Sequence, residues 1–211
     1  MPTLRDEQKA ATRLRLLDAA EAVFARRGFH GAAVDEIARE AGATTGALYA
    51  SFAGKEDLFL QLFDHTMARD VRGYSEASGG RATAEEAARA GTDRWMEVLA
   101  ERPAYFPLFI EFWAYAVREP AVRERFAERF ATFRRATGQI VAAGAHARGI
   151  ELGPEQVERS GMLVNALANG LALERMVDPD AVPDELFGDL LVLIFNGLEA
   201  LAHQATERSA T

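Results

Sequence analysis

The chain has 211 residues, is 49% hydrophobic and 27% charged, and contains no cysteine. It can therefore bury a core of one or two compact units, but neither a disulfide framework nor a thiolate metal site is open to it. Its net charge is −8: residues 1–60 hold eight Lys/Arg against nine Asp/Glu, a net of −1, so the other 151 residues carry −7. An acidic bulk still permits nucleic-acid binding if cations gather on one face, with few phosphate contacts.

From the N-terminus, MPTLRDEQKAATRLRLL scatters its charges and lacks the apolar core of a signal peptide. Leu16, Leu17, Ala20, Val23 and Phe24 recur at helical spacing, giving a long first helix that ends at Arg26-Arg27-Gly28. A short helix follows with Val34, Ile37, Ala38 and Ala41 on one face, broken by Gly42. Thr44 caps a second short helix running to about Phe52, and a longer one begins near Lys55 with Leu58, Leu62 and Phe63 as its stripe. The Gly- and Ser-rich GYSEASGGRA, residues 73–82, predicts a loop. Pro103, Pro120, Pro154 and Pro183 then punctuate apolar-periodic segments, predicting helices over 83–101, 103–118, 120–148, 154–177 and 183–206. Pro107 leaves the start of the second of these open. The most apolar stretch, residues 105–117, is interrupted by Glu111 and falls short of the roughly 20 residues that span a bilayer. An all-α, soluble, cytoplasmic protein is the expectation.

Residues 34–52, VDEIAREAGATTGALYASF, can form a helix-turn-helix. Small Ala38 lets two helices approach and Gly42 permits the turn. Leu48 and Phe52 face inward, and Thr44, Thr45, Ala47, Tyr49 and Ala50 are presented outward. A tight helical hairpin inside an ordinary bundle accounts for the short motif equally well. The flanks add more: Ala19-Ala20, Phe24, Gly28-Phe29, Ile37-Ala38, Ala41-Gly42, Gly46, Leu48-Tyr49, Phe52, Lys55-Glu56 and Leu58. With these, the run from Thr12 to Phe63 resembles the DNA-binding domain of the TetR family of transcriptional regulators.

That resemblance implies an N-terminal three-helix DNA-binding domain over residues 1–54 and a C-terminal helical ligand-binding and dimerisation domain over 55–211. It implies a DNA-contacting set of Thr44, Thr45, Gly46, Ala47, Tyr49 and Lys55. Tyr49 and Lys55 would donate to phosphate, while Thr45 and Ala47 would face bases, where their methyls can meet a thymine methyl. One departure stands out. The family commonly has Ser or Thr just before its second helix, and this chain has Ala32-Ala33, followed by Val34 and the acidic Asp35. Ala32, Ala33 and Val34 offer no side-chain donor for a phosphate there.

No enzyme signature is present: G-x-S-x-G, G-x-G-x-x-G and the phosphate-binding loop are all missing, and no cofactor or metal is expected. The histidines at 30, 65, 146 and 203 are isolated, and Glu199 with His203 lacks the Glu-x-x-His spacing of a di-iron bundle. The aromatic block of Tyr105, Phe106, Phe109, Phe112, Trp113 and Tyr115 exceeds one helical face and is mostly core. The resemblance places a small-molecule pocket among the middle helices, with Trp95, Met96, Phe109, Trp113, Met162 and Asn165 as candidate lining for an apolar effector. The segments 161–173 and 186–201 are apolar nearly all round and must be covered. Leu163, Leu167, Gly170, Leu190, Ile194 and Leu198 are candidates for a homodimer interface. The reading is a homodimeric, ligand-responsive regulator, a repressor on a pseudo-palindromic duplex operator. The alternatives are a helical small-molecule-binding protein without DNA regulation and, less favoured, a bundle enzyme.

Overall fold

A computed structural model describes the backbone of residues 3–209 and the side chains of residues 3–198 and 200. Among these residues there are nine α-helices, one 3-10 turn and no strand. The helices are α1 (Leu4–Gly31), α2 (Val34–Glu40), α3 (Thr45–Tyr49), α4 (Lys55–Ser78), α5 (Ala84–Glu101), α6 (Tyr105–Arg118), α7 (Pro120–Ala147), α8 (Pro154–Val177) and α9 (Leu186–Ser209). No helix of the described residues is long and apolar enough to cross a membrane.

The starts follow the local chemistry. Thr3 caps α1, accepting from the Asp6 amide while the Asp6 carboxylate accepts from the Thr3 amide. Pro120 and Pro154 stand at the first turns of α7 and α8, where a missing N–H costs nothing. Pro107 is accommodated the same way inside the first turn of α6, which begins at Tyr105 rather than at 103. Two expectations need correction. The segment 73–78 is helical, the last turn and a half of α4, so the loop is confined to residues 79–83. Gly73 is there for packing: a Cβ on it would lie 3.0 Å from Nε of Arg94 on α5. The last helix starts at Leu186, not 183. The chain first winds through a 3-10 turn (Pro179–Ala181), and Arg175 then holds the strap by donating to the Val182 carbonyl and pairing with Asp184.

Packing divides the chain into two units. The first comprises residues up to Met67 with Arg102–Arg129; the second comprises Ala68–Glu101 with the residues from Phe130 onward. The first unit is built on rings. Phe24 and Phe29 of α1, Phe59 and Phe63 of α4, and Phe112 of α6 are almost wholly buried. Phe59 stacks on Phe112 at 3.9 Å between centroids, and Phe29 meets Phe112 edge-on at 4.9 Å. In the second unit, Trp95 of α5 packs on Phe187 of α9 at 4.7 Å. Here α7 and α8 approach at two glycines: a Cβ on Gly138 would stand 2.2 Å from the Val157 carbonyl oxygen, and one on Gly161 2.1 Å from that of Arg134.

Candidate nucleic-acid interface

The helix-turn-helix forms from α2 and α3. Ile37, Ala38, Leu48 and Phe52 are buried beneath it, which fixes the two short helices by packing, since helices of 7 and 5 residues could not hold alone. Gly42 takes a positive φ of 61° in the turn, and the Ala43 amide donates back to the Ala38 carbonyl at 2.9 Å. The Thr44 side chain caps α3 by accepting from the Ala47 amide at 3.1 Å. The helix ends at Tyr49, earlier than the sequence predicts, and residues 50 and 51 form a turn.

The face so presented carries Thr44, Gly46 and Tyr49 exposed, with Thr45 and Ala47 half-buried beside them. Tyr49 is 58% exposed, a large ring left in solvent. α3 itself carries no charge. The Thr45 hydroxyl donates to the Asp35 carboxylate of α2 at 2.9 Å. No side chain caps the start of α2 at Ala33, in keeping with the departure noted in the sequence. Lys55, the last of the expected contacts, is half-buried at the start of α4. Its ammonium donates to the carbonyls of His30 and Ala32 at 3.2 and 3.1 Å and stands 4.9 Å over the Phe29 ring. The five residues Thr44–Ala47 and Tyr49 thus share one surface, and Lys55 is turned onto the backbone that links α1 to α2.

Three features of this site escaped the sequence reading. Arg13 of α1 donates to the Ser51 carbonyl at 3.1 Å and stands 4.8 Å over Phe52, bracing the end of α3 from 38 residues away. Asp35 was visible only as a departure, without its Thr45 partner. Glu111, seen as an interruption in an aromatic stretch, accepts from the amides of Phe29 and His30, both at 2.9 Å. A lone carboxylate in an otherwise apolar helix was the available signal.

The ligand-pocket candidates are divided between the two units. Phe109 and Trp113 lie in the first unit, in ring contact at 5.2 Å, and Phe109 is buried. Trp95, Met96, Met162 and Asn165 belong to the second. There Asn165 is buried with its amide donating to Thr137 and to the Gly161 carbonyl, Trp95 is core, and Met162 is exposed. Met96 alone of the six lines the groove of about 630 Å³ between α5 and the start of α9, with Thr92, Asp93, Glu97, Asp184 and Glu185. Of the interface candidates, Leu163 and Gly170 are exposed, Leu167, Leu190 and Ile194 are half-buried, and Leu198 is buried within the protomer. The Glu199–His203 pair lies outside the described side chains.

Comparison with known proteins decides the family. Residues 16–62 match the model of bacterial regulatory proteins of the tetR family, and residues 84–191, just over half of the chain, match the C-terminal model of BetI-type transcriptional repressors. The chain belongs to the TetR family of transcriptional regulators. The fatty acid metabolism regulator protein of Bacillus subtilis (strain 168) is 35% identical over 80 residues, 38% of this chain and 41% of that protein. The HTH-type transcriptional activator FasR of Mycolicibacterium smegmatis is 30% identical over 107 residues, 51% of this chain and 47% of that one. The chain thus spans less than half the length of these curated TetR relatives. Among solved structures, the transcriptional regulator FadR from Bacillus subtilis in complex with stearoyl-CoA matches with a TM-score of 0.64 at 21% identity, over 88% of this chain and 97% of that chain, a likeness of fold.

Proposed function

We propose that this TetR-family regulator is a homodimeric repressor that reads a pseudo-palindromic operator and is released by a small apolar effector. In this reading residues 1–54 supply the DNA-binding head and residues 55–211 the effector and dimerisation body. The observation that carries it is the locked helix-turn-helix, with Thr44, Thr45, Gly46, Ala47 and Tyr49 on one surface and the apolar side of the same helices buried. A neutral recognition surface suits reading base edges and positioning on phosphate through hydroxyls and backbone N–H groups. Lys55, which donates to the His30 and Ala32 carbonyls, joins this reading by holding the entry to α2.

Dimerisation is supported by what α8 and α9 leave uncovered. Met162, Leu163, Leu173, Val177 and Leu193 are between 41% and 87% exposed, large apolar side chains that a partner helix could cover. Gly170 and Gly197 have open space where a Cβ would stand, leaving room for close helix approach. An acyl chain is the first effector chemistry to try, given one relative named for fatty acid metabolism and a similar fold solved with stearoyl-CoA. The α5–α9 groove is an unfavourable seat for the phosphates of a CoA, since Asp93, Glu97, Asp184 and Glu185 line it against Arg89, which is paired with Glu85.

The test is a titration of the purified protein on duplexes from upstream of its own gene, with and without stearoyl-CoA or free stearate. Affinity should fall with rising salt, and the effector should weaken operator binding by about 5–150-fold, the usual range of such coupling. Acyl binding with no DNA binding at any salt would favour the ligand-binding protein instead.

A further inference from the structure

We propose that Glu111 is a positioning residue for DNA recognition, acting with Lys55 as a two-sided clamp on the backbone joining α1 to α2. This rests on the regulator reading above and adds to it the device that holds the helix-turn-helix in register.

Gly28 to Gly31 close α1 beyond a kink, and with Ala32 and Ala33 they lead directly into α2. At Gly28 the chain kinks with φ 69°, interrupting the helical ladder and freeing the amides that follow. Both are taken by one side chain: Oε2 of Glu111 accepts from Phe29 N–H and Oε1 from His30 N–H, each at 2.9 Å. The other side of the same segment is taken by a cation, since Lys55 Nζ donates to the carbonyls of His30 and Ala32. Carboxylate on the N–H groups and ammonium on the C=O groups is the charge-complementary arrangement, and both sets are charge-assisted.

The site admits little else. A Cβ on Gly28 would stand 2.6 Å from Glu111 Oε2, so the kink residue and the carboxylate are fitted to each other. One turn along α6, Tyr115 donates to Glu56, the neighbour of Lys55, at 3.2 Å, and its ring meets that of His30 at 5.3 Å. α6 therefore touches the linker and the start of α4 together. Under this account Lys55 spends its charge on the protein's own backbone, and its removal disturbs geometry rather than phosphate neutralisation.

The experiment compares full-length wild type, Glu111→Gln and Lys55→Met by fluorescence anisotropy. Each is titrated across a salt series on the footprinted duplex from upstream of its gene and on a scrambled duplex of the same composition. Removing a negative charge from a protein of net charge −8 favours approach to DNA. A loss in Glu111→Gln therefore has the opposite sign to a simple charge effect. The expected result is a loss of about tenfold or more on the footprinted duplex, with affinity for the scrambled duplex and the salt slope unchanged. The Phe29 and His30 amide protons should move upfield in Glu111→Gln, a signature of the lost carboxylate acceptor. Unchanged specific affinity, or an equal loss on both duplexes, overturns the proposal. If Glu111→Gln does not fold, Lys55→Met decides: a specific loss at unchanged slope supports the clamp, and a slope lower by about one per half-site overturns it. A wild type without preference between the duplexes removes the regulator reading and the proposal with it. Preference kept in full by Glu111→Gln removes the proposal alone.

Discussion

Tyr49 and Thr45 stand one turn apart on α3 and are held differently. Thr45 has its hydroxyl proton committed to Asp35, leaving its methyl and an acceptor lone pair for a base edge. Tyr49 extends into solvent, where a phenol can reach a phosphate without selecting a sequence. Tyr49→Phe should therefore weaken binding to every duplex alike, by about 1 kcal/mol per half-site. Thr45→Ala should change the ranking among base-substituted operators instead. Competition titrations against a panel of single-base variants separate the two, and the same ranking in wild type and Thr45→Ala would contradict the assignment. At this scale the sequence was legible where chemistry is local, as at Thr44, whose cap follows from the three residues after it. It was silent where partners are distant. Nothing near Arg13 announces the Ser51 carbonyl, and nothing near Glu111 announces the amides of Phe29 and His30.

Among elements, α4 and α8 show how packing decides what a residue is for. Asp57 at the start of α4 is pushed up by desolvation. The Ala53 amide and Gln61, together with Arg125 of α7, outweigh this and hold it below the ordinary 3.8. A depressed carboxylate stabilises the fold above its unfolded value near 3.9 and loses that contribution as pH falls through the lower folded value. Asp64, two turns on, runs the other way: burial raises it and Arg129 only partly offsets this. The stability gap between wild type and Asp57→Asn, from denaturant midpoints, should be constant above about pH 5 and close below about pH 4. A gap independent of pH would contradict the role. On α8, Gly161 and Gly170 both lie in the apolar segment 161–173, yet they serve differently. Gly161 is used inside the protomer against the Arg134 backbone, whereas Gly170 opens onto free space. Helical spacing cannot tell an inner from an outer face when a helix is apolar all round. The same ambiguity applies to α9, where Leu193 is 67% exposed and its neighbour Ile194 is half-buried. The interface test is therefore Leu193→Arg, which should place an unpaired charge between protomers and give monomer in sedimentation. Undiminished dimer in that variant would move the interface elsewhere.

For the whole molecule, the helical class and most helix starts followed from proline placement and apolar spacing, because those signals are local. The loop expected at 73–82 failed because Gly73 answers to Arg94 across the fold. Assembly and effector lie beyond local signals, since one depends on a second copy and the other on a molecule the chain does not encode. The central claim is that two copies of this chain read DNA as a pair. The most direct measurement is a footprint of the purified protein on the region upstream of its own gene, with the stoichiometry of the complex taken by sedimentation. Two protected half-sites are expected on one face of the duplex, related by pseudo-two-fold symmetry and one helical turn, about 34–36 Å, or a multiple of it apart, with two chains per site. Uniform protection of all DNA, or a single half-site occupied by one chain, would contradict it.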